Sequence, residues 1–277
     1  MLTCHNRKSK TLACLESLFA QSRHQSYSLK AILVDDGSKD GTGDAVRAMF
    51  PQVQVIQGDG NLFWGGGMRA AFAEAMKGQF DFYLWLNDDI ILDPHAVGRL
   101  LQAHEELIQK GYVPSIILGS VKDPRTGDQT YGGYNKGPWF APLSVKTVRA
   151  TDRLQKADTM NGNCVLIDRE CAKRVGNVDP SFPHLFGDID YGLRALKQKC
   201  SIWILPGYIG DCESNNFGET NKLRIFSNRW DFYIRSKKGF QYFGAWKTIV
   251  HRHGGPLWIF QWLYSFRHIP FAIRKKQ

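Results

Sequence analysis

Short apolar runs alternate with amphipathic segments along the first half of the chain. Residues 29–34, 53–57, 80–86 and 114–119 read as buried strands. Between them lie helical patterns. Leu12, Leu15, Leu18 and Phe19 recur at helical spacing, with Ser9 as a candidate N-cap. Residues 44–50 form a second helical pattern that stops at Pro51. Residues 68–77 are Ala-rich and stop at Gly78, a residue suited to the position after a helix C-terminus. Asp93 as N-cap and Pro94 at the first helical position open a helix that reaches Lys110 before Gly111. This alternation predicts an α/β fold with a mostly parallel sheet flanked by helices.

The middle of the chain, residues 122–153, is rich in Gly, Pro, Thr and Tyr and reads as loops with short antiparallel strands. A strand over 163–167, a helix over 168–175 capped by Asp168, a helix over 188–199 and a strand over 201–205 follow. The last part of the chain has a different composition. Residues 221–277 hold twelve Lys/Arg and one acid, Asp231, so they carry +11 of a net +10, and the first 220 residues are close to neutral. Fourteen aromatics, Trp230, Tyr233, Phe240, Trp246, Trp258 and Trp262 among them, are interleaved with those bases. Such a mix suits the headgroup zone of an anionic membrane, and also a nucleic acid. A packed set of helices with a solvated basic face is the plain alternative. The strongest apolar stretch, 256–266, is interrupted by Gln261 and is too short to span a bilayer.

The chain has 277 residues, 43% of them apolar and 22% charged, an ordinary mix for a globular protein with a sizeable core. Its six cysteines form no C-x-x-C pair, which argues against a zinc knuckle. The opening MLTCHNRKSK has no apolar h-region, so reduced thiols in the cytoplasm are the expectation.

Four polar stretches interrupt this pattern where strands end. Thr3-Cys4-His5-Asn6-Arg7 follows the first apolar residue. Val34-Asp35-Asp36-Gly37-Ser38-Lys39-Asp40-Gly41-Thr42 leaves the second strand, and Leu86-Asn87-Asp88-Asp89 leaves the fourth. In an open α/β sheet, ligands bind outside the carboxyl ends of the strands. Carboxylates gathered there repel one another unless a cation or a sugar hydroxyl lies between them. Mg2+ or Mn2+ suits such oxygen donors, with diphosphate oxygens completing the shell. The fourth stretch, Asn61-Leu62-Phe63-Trp64-Gly65-Gly66-Gly67-Met68, places three glycines before a helix. It reads either as a loop offering N–H groups to an anion or as a flexible connection. Farther on, Gly187-Asp188-Ile189-Asp190-Tyr191-Gly192-Leu193-Arg194 opens a helix. Asp190 and Arg194 pair at i,i+4, and Asp188 is left for a general base. No Walker loop is present.

Taken in order, T-C-H-N-R, V-D-D-G-S-x-D-G-T, N-L-F-W-G-G-G-M, L-N-D-D and G-D-I-D-Y-G-L-R resemble the family 2 glycosyltransferases, which are inverting, nucleotide-sugar-dependent enzymes of the GT-A fold. The N-L-F-W-G-G-G-M loop is most similar to bacterial members that build cell-surface polysaccharides, the rhamnosyltransferase-like group included. The resemblance covers about residues 1–215, the implied catalytic domain, and leaves 216–277 as a basic aromatic extension, helical and membrane-proximal. It implies that Thr3, Asn6 and Arg7 line the nucleotide, that Asp36 contacts the base with help from Asp35, and that Asn61, Trp64 and Gly66 flank the donor. It implies that Asn87-Asp88-Asp89 stands in the place of the family's D-x-D motif, with Asp88 on the ribose and Asp89 on a divalent metal, Mg2+ or Mn2+. Asp188 then matches the catalytic base, and Asn161, Gly162 and Asn163 begin the acceptor wall. The implied partners are a nucleotide-diphosphate sugar, a glycan or lipid-linked glycan of the lipopolysaccharide or capsule type, and the inner face of the cell membrane.

Two departures stand out. The first strand has almost no length before its polar residues. Where many relatives carry a His after the last core strand, this chain reads Gly210-Asp211-Cys212-Glu213-Ser214, with Asp211 or His184 as possible substitutes. Two other functions use similar parts: a nucleotidyltransferase making a nucleotide sugar, and an RNA-binding module led by the basic tail. The first would need a glycine-rich turn with a base after the first strand, and T-C-H-N-R has no glycine.

Overall fold

A computed structural model describes residues 1–21, 27–214 and 237–264. Four strands run parallel at its centre: β1 (Leu2–Cys4), β2 (Ile32–Asp35), β3 (Gln54–Gln57) and β4 (Phe82–Leu86). β2 lies between β1 and β3. Met1 joins β1 to β4, donating from N to Leu84 O at 2.8 Å and accepting from Leu86 N at 3.0 Å, the staggered pattern of a parallel pair. The minimal first strand is therefore flanked on both sides, which offsets its three-residue length.

Across β4 the sheet continues through strands from the second half of the chain. After the two-residue β5 (Ile91–Leu92) come β6 (Ser115–Lys122), β7 (Gln129–Tyr131), β8 (Gly133–Asn135), β9 (Lys146–Thr147), β10 (Gln155–Lys156), β11 (Thr159–Met160), β12 (Cys164–Asp168) and β13 (Ser201–Asp211). β12 is antiparallel to both β4 and β6, and β13 is parallel to β6. The backbone thus reads β3-β2-β1-β4-β12-β6-β13. The Gly- and Tyr-rich middle segment supplies β8 and β9, which join β11 in a small antiparallel sheet beside the main one.

Helices cover both faces. They are α1 (Lys8–Phe19), α2 (Thr42–Met49), α3 (Phe63–Ala75), α4 (Ala96–Gln109), α5 (Arg169–Val175), α6 (Gly187–Lys197), α7 (Lys237–His253) and α8 (Trp258–Tyr264). Successive strand residues point to opposite faces. Leu33 and Leu86 therefore join Leu15, Leu18, Leu100 and Leu107 of α1 and α4, while Val34 and Trp85 join Met68, Phe72 and Tyr191 of α3 and α6. Both faces are covered, so β2 and β4 read as near-continuous apolar runs instead of alternating. α7 packs Ala245, Ile249 and Val250 on Phe182. Among the described residues no helix is long and apolar enough to cross a membrane. Trp230 and Tyr233 lie outside the described residues, as does the side chain of Phe240.

Several boundaries differ from the sequence reading. Ser9 lies inside α1, whose N-cap position is Arg7. α4 starts at Ala96, and Asp93 holds the preceding turn by accepting Ala96 N through its carbonyl at 3.0 Å. β13 runs on to Asp211, because its far end pairs with β5, a strand too short to announce itself. The largest difference is α3. It begins at Phe63, so Gly65, Gly66 and Gly67 form its first turns and not a loop. A Cβ at Gly65 would lie 2.0 Å from Phe182 O, and one at Gly67 would lie 2.1 Å from Thr3 Oγ1. These glycines exist because two pieces of chain press on the helix there.

Asp168 caps α5 as its sequence position implies, accepting from Cys171 N at 2.6 Å. Its other oxygen takes Ser115 N, which ties α5 to β6. Asp168→Ala should lower unfolding stability by about 2 kcal/mol, since it removes a cap and leaves a buried N–H unpaired. Chemical denaturation of the two proteins measures this.

Candidate active site

The carboxyl ends of β1 and β4, the start of α3 and the start of α6 enclose a cavity of about 750 Å³. Of the residues expected on the donor side, Thr3, Arg7, Asp36, Trp64, Asn87 and Asp88 line it. Asn161 and Gly162 line the acceptor side, together with Asp188. Asn6, Asp35, Asn61, Gly66, Asp89 and Asn163 are not on its wall. Phe63 and Phe186, which do line it, are held at φ of 55° and 69°, in the left-handed region that bulky residues avoid. Such backbone strain concentrates at functional sites.

The residues off the wall have identifiable work. Asn6 fastens the turn after β1 to the next loop, accepting Lys39 N at 2.7 Å and donating from its own N to Ser38 Oγ at 2.9 Å. Asp35 accepts Ser38 N at 3.0 Å and closes the turn after β2. Asn61 is an exposed turn residue whose N donates to Asp59 Oδ1 at 2.9 Å. The N–H of Gly66 is shared between Leu62 O and Pro183 O, both at 3.1 Å, so it is not offered to an anion.

Asp36 carries the most hydrogen bonds of the group. It is buried, and its carboxylate accepts Gly60 N at 2.9 Å, Leu62 N at 3.0 Å and Phe63 N at 2.9 Å. The start of α3 does bind an anion, as the sequence suggests, but that anion is the Asp36 side chain. A nucleobase contact through the same oxygens would compete with these N–H groups.

Asp88 and Asp89 share one guanidinium. Arg7 donates from Nη1 to Asp88 Oδ1 at 2.9 Å and from Nη2 to Asp89 Oδ2 at 2.7 Å. The second oxygen of Asp88 accepts Thr11 Oγ1 at 3.1 Å, and that of Asp89 lies 3.6 Å from the Cys212 thiol. Cys212 thus occupies the surroundings where a His was sought, and Asn163 donates to its sulfur at 3.7 Å. Burial pushes the Asp88 carboxyl up to about 6, with Arg7 opposing and Asp89 adding to the shift. Even beside Arg7, this pair is short of positive charge. No group of three His, Cys, Asp or Glu side chains is arranged to hold a metal among the described residues. The donor set therefore fits a divalent ion arriving with phosphate oxygens, for which one or two protein carboxylates suffice. It does not fit an ion caged by protein alone.

Asp188 sits in the first turn of α6, half-buried at the cavity wall. Its Oδ2 accepts Gly162 N at 2.9 Å and its Oδ1 accepts Ile189 N at 2.8 Å. These backbone bonds leave part of the carboxylate's acceptor capacity open among the described residues. Desolvation raises its proton affinity, and the N–H bonds oppose that shift. A carboxylate with raised proton affinity and free acceptor capacity can take a proton from a hydroxyl. Trp64 connects the two sides: its Nε1 donates to Asn87 Oδ1 at 2.9 Å, and a Cβ on Gly162 would meet its ring at 2.3 Å.

Asp190 pairs with Arg194 at 2.7 Å, as the i,i+4 spacing implies. It also takes Arg252 Nη1 at 2.7 Å and His253 Nε2 at 2.9 Å, both from α7. Burial works against its charge, but His253, Arg194 and Arg252 together hold its carboxyl below the usual range. The sequence did not reveal these two partners, nor Tyr131 and Tyr134 on the cavity wall, whereas His184, a possible substitute for the missing His, does line it. The only signal for the tyrosines was the Tyr131-Gly132-Gly133-Tyr134 repeat in a segment read as loops. Burial and the nearby Asp188 push the Tyr134 hydroxyl up to about 12.

Residues 1–174 match the model of the glycosyl transferase family 2 proteins. The chain is 25% identical over 226 residues, 74% of each protein, to an N-acetylglucosaminyl-diphospho-decaprenol L-rhamnosyltransferase of Mycobacterium tuberculosis, in two strains. Its fold is similar to that of a mannosyltransferase from Pyrobaculum calidifontis solved with GDP-Man and Mn2+, with a TM-score of 0.54 at 14% identity, over 99% of this chain and 72% of that one.

Asp88 gives a pH dependence with a definite sign. The folded state holds the Asp88 proton more tightly than the unfolded chain, whose carboxyl has the ordinary value of 3.8. Ionising it therefore costs stability, a cost absent below about pH 4 and growing as pH rises toward 6. Relative to Asp88→Asn, the natural chain should lose about 3 kcal/mol across that window, at about 1.4 kcal/mol per pKa unit. Thermal unfolding of both proteins between pH 4 and pH 7 measures the difference.

Proposed function

The chain belongs to glycosyl transferase family 2, and on that premise we propose an inverting transfer in which Asp188 is the general base. It is a nucleotide-sugar glycosyltransferase with the GT-A fold. The observation that carries the proposal is Asp188 itself. Backbone N–H groups of Gly162 and Ile189 aim it, and it borders the cavity that Asp88 and Arg7 reach from the other side.

The acceptor hydroxyl gives its proton to Asp188, and its oxygen attacks the anomeric carbon opposite the leaving group. The bond from that carbon to the diphosphate breaks, and its electron pair stays on the diphosphate oxygen. One base suffices, because no covalent intermediate forms. Arg7 and Asp88 border the space for the diphosphate and ribose, with Trp64 and Phe63 as ring surfaces beside it. A divalent ion bound with the donor would be held by Asp88 and Asp89 and would neutralise charge on the leaving diphosphate. The Mn2+ in the mannosyltransferase structure supports that reading. The family match over residues 1–174 favours transfer over the nucleotidyltransferase alternative.

The acceptor is a glycan of the cell surface, carried on a lipid. The M. tuberculosis relative, named for a diphospho-decaprenol acceptor, supports this. So does an apolar face built from two distant parts of the chain. Trp139 and Phe140 are 73% and 52% exposed, and Phe260 and Leu263 of α8 are 68% and 52% exposed. Gln261 Nε2 donates to Phe140 O at 3.0 Å and holds the two parts together. An exposed aromatic face beside a basic segment suits an anionic membrane, which would hold the protein peripherally on its cytoplasmic side.

Asp188→Asn should lower the rate of sugar transfer from a nucleotide sugar by about 10²–10⁴-fold with donor binding retained, the range for loss of a general base. Full activity in that variant would remove the proposed role. Replacing Trp139 and Phe260 together by Ala should weaken binding to phosphatidylglycerol vesicles by about tenfold or more, since each deletes a large apolar side chain from the contact. Sedimentation with vesicles reads this without reference to catalysis.

A further inference from the structure

We propose that Arg7 and a divalent cation are mutually exclusive occupants of the Asp88–Asp89 pair, so that binding the ion releases the Arg7 guanidinium toward the cavity. The inference rests on reading this cavity as the donor site. Its starting point is how completely the two carboxylates are used. Each gives one oxygen to Arg7, at 2.9 Å and 2.7 Å, and the other to a neutral donor, the Thr11 hydroxyl or the Cys212 thiol.

Those two kinds of partner respond differently to a cation. A hydroxyl or thiol can rotate its hydrogen away and leave the oxygen open. An ion entering on those opened oxygens would still meet the guanidinium held on the neighbouring ones, a full positive charge at contact distance of a doubly charged ion. That repulsion persists even in water and is larger in a partly buried site. One of the two cations must leave. The ion brings more charge to a pair that is under-compensated, and Arg7 has the means to move.

Arg7 occupies the N-cap position of α1, where its carbonyl accepts Thr11 N at 2.9 Å. Its backbone is therefore fixed while its side chain, 32% exposed, already borders the cavity. Swung off the two aspartates, its planar fork matches phosphate oxygens bidentately. The same guanidinium would guard the aspartates without donor and meet the diphosphate with it. Ion binding and diphosphate binding are then coupled, and by linkage each strengthens the other. The chain alone should then take up the ion weakly.

The test uses Mn2+ alone, with no nucleotide, titrated into the full chain and followed by electron paramagnetic resonance of the free ion. Arg7→Gln should bind Mn2+ about tenfold or more tightly than the natural chain, because the competing charge is gone. Arg7→Lys keeps a charge near the pair and should stay within about threefold of the natural chain. Equal or weaker binding by Arg7→Gln overturns the proposal, as does equal tightening by Arg7→Lys. Should Arg7→Gln fail to fold, the Arg7 Nε–H resonance in the natural chain decides. It should shift when Mg2+ saturates the protein, and an unmoved signal at saturation overturns the exclusion. Failure of the natural chain to bind any nucleoside diphosphate would instead count against the donor-site reading and leave the Mn2+ comparison standing.

Discussion

The buried carboxylate of Asp36 fixes the site. By gathering the N–H groups of Gly60, Leu62 and Phe63, it sets where α3 begins and at what angle it meets the sheet. The glycines of that first turn let the helix lie against Thr3 on one side and residues 182–183 on the other. Trp64 is thereby carried to Asn87 and Gly162, and Gly162 in turn holds Asp188. A capping interaction at the end of β2 thus reaches the proposed base through a single aromatic ring. A carboxylate suits this position because it accepts several N–H bonds at once, and the N-terminal end of a helix favours its charge.

The charged groups around the cavity follow a related logic. Arg7 is shared by two acids, and Asp190 is shared by two arginines and a histidine. Buried ion pairs add little net stability, because desolvation offsets much of the attraction, but an unpaired member is costly. Such clusters therefore specify arrangement more than they strengthen the fold. Around Asp190 the charge count is satisfied and the cluster is closed. Around Asp88 and Asp89, among the described residues, two negative charges meet one positive one, and that imbalance makes this end of the cavity receptive to a further cation.

The fold was legible in the sequence wherever a periodic apolar pattern ran long enough. The strands at 32–35, 54–57 and 82–86 and the starts of α5 and α6 emerge close to their expected places. Asp188 was legible because a helix start and an i,i+4 pair removed Asp190 from consideration. The glycines were misread because propensity penalises them in an isolated helix. Here the close approach of Phe182 and Thr3, remote in sequence, decides the matter. The same remoteness hid the Arg7 bracket, which spans about eighty residues, and the α7 contacts to Asp190, which span about sixty. Asp36 was recognised as a ligand-type residue, but local sequence does not disclose that its ligand is the backbone of the next helix.

The docking of α7 bears on how this protein can be dissected. Arg252 and His253 cover an aspartate with no solvent exposure of its own, and Ala245, Ile249 and Val250 seal Phe182. A fragment cut near residue 215, where the sequence motifs end, would keep every described residue lining the cavity. It would also leave a raw apolar seam and a partly orphaned acid two residues from Asp188. A shortened version meant for crystals or for domain exchange should therefore retain the chain at least through His253, and grafts should carry α6 and α7 as one unit.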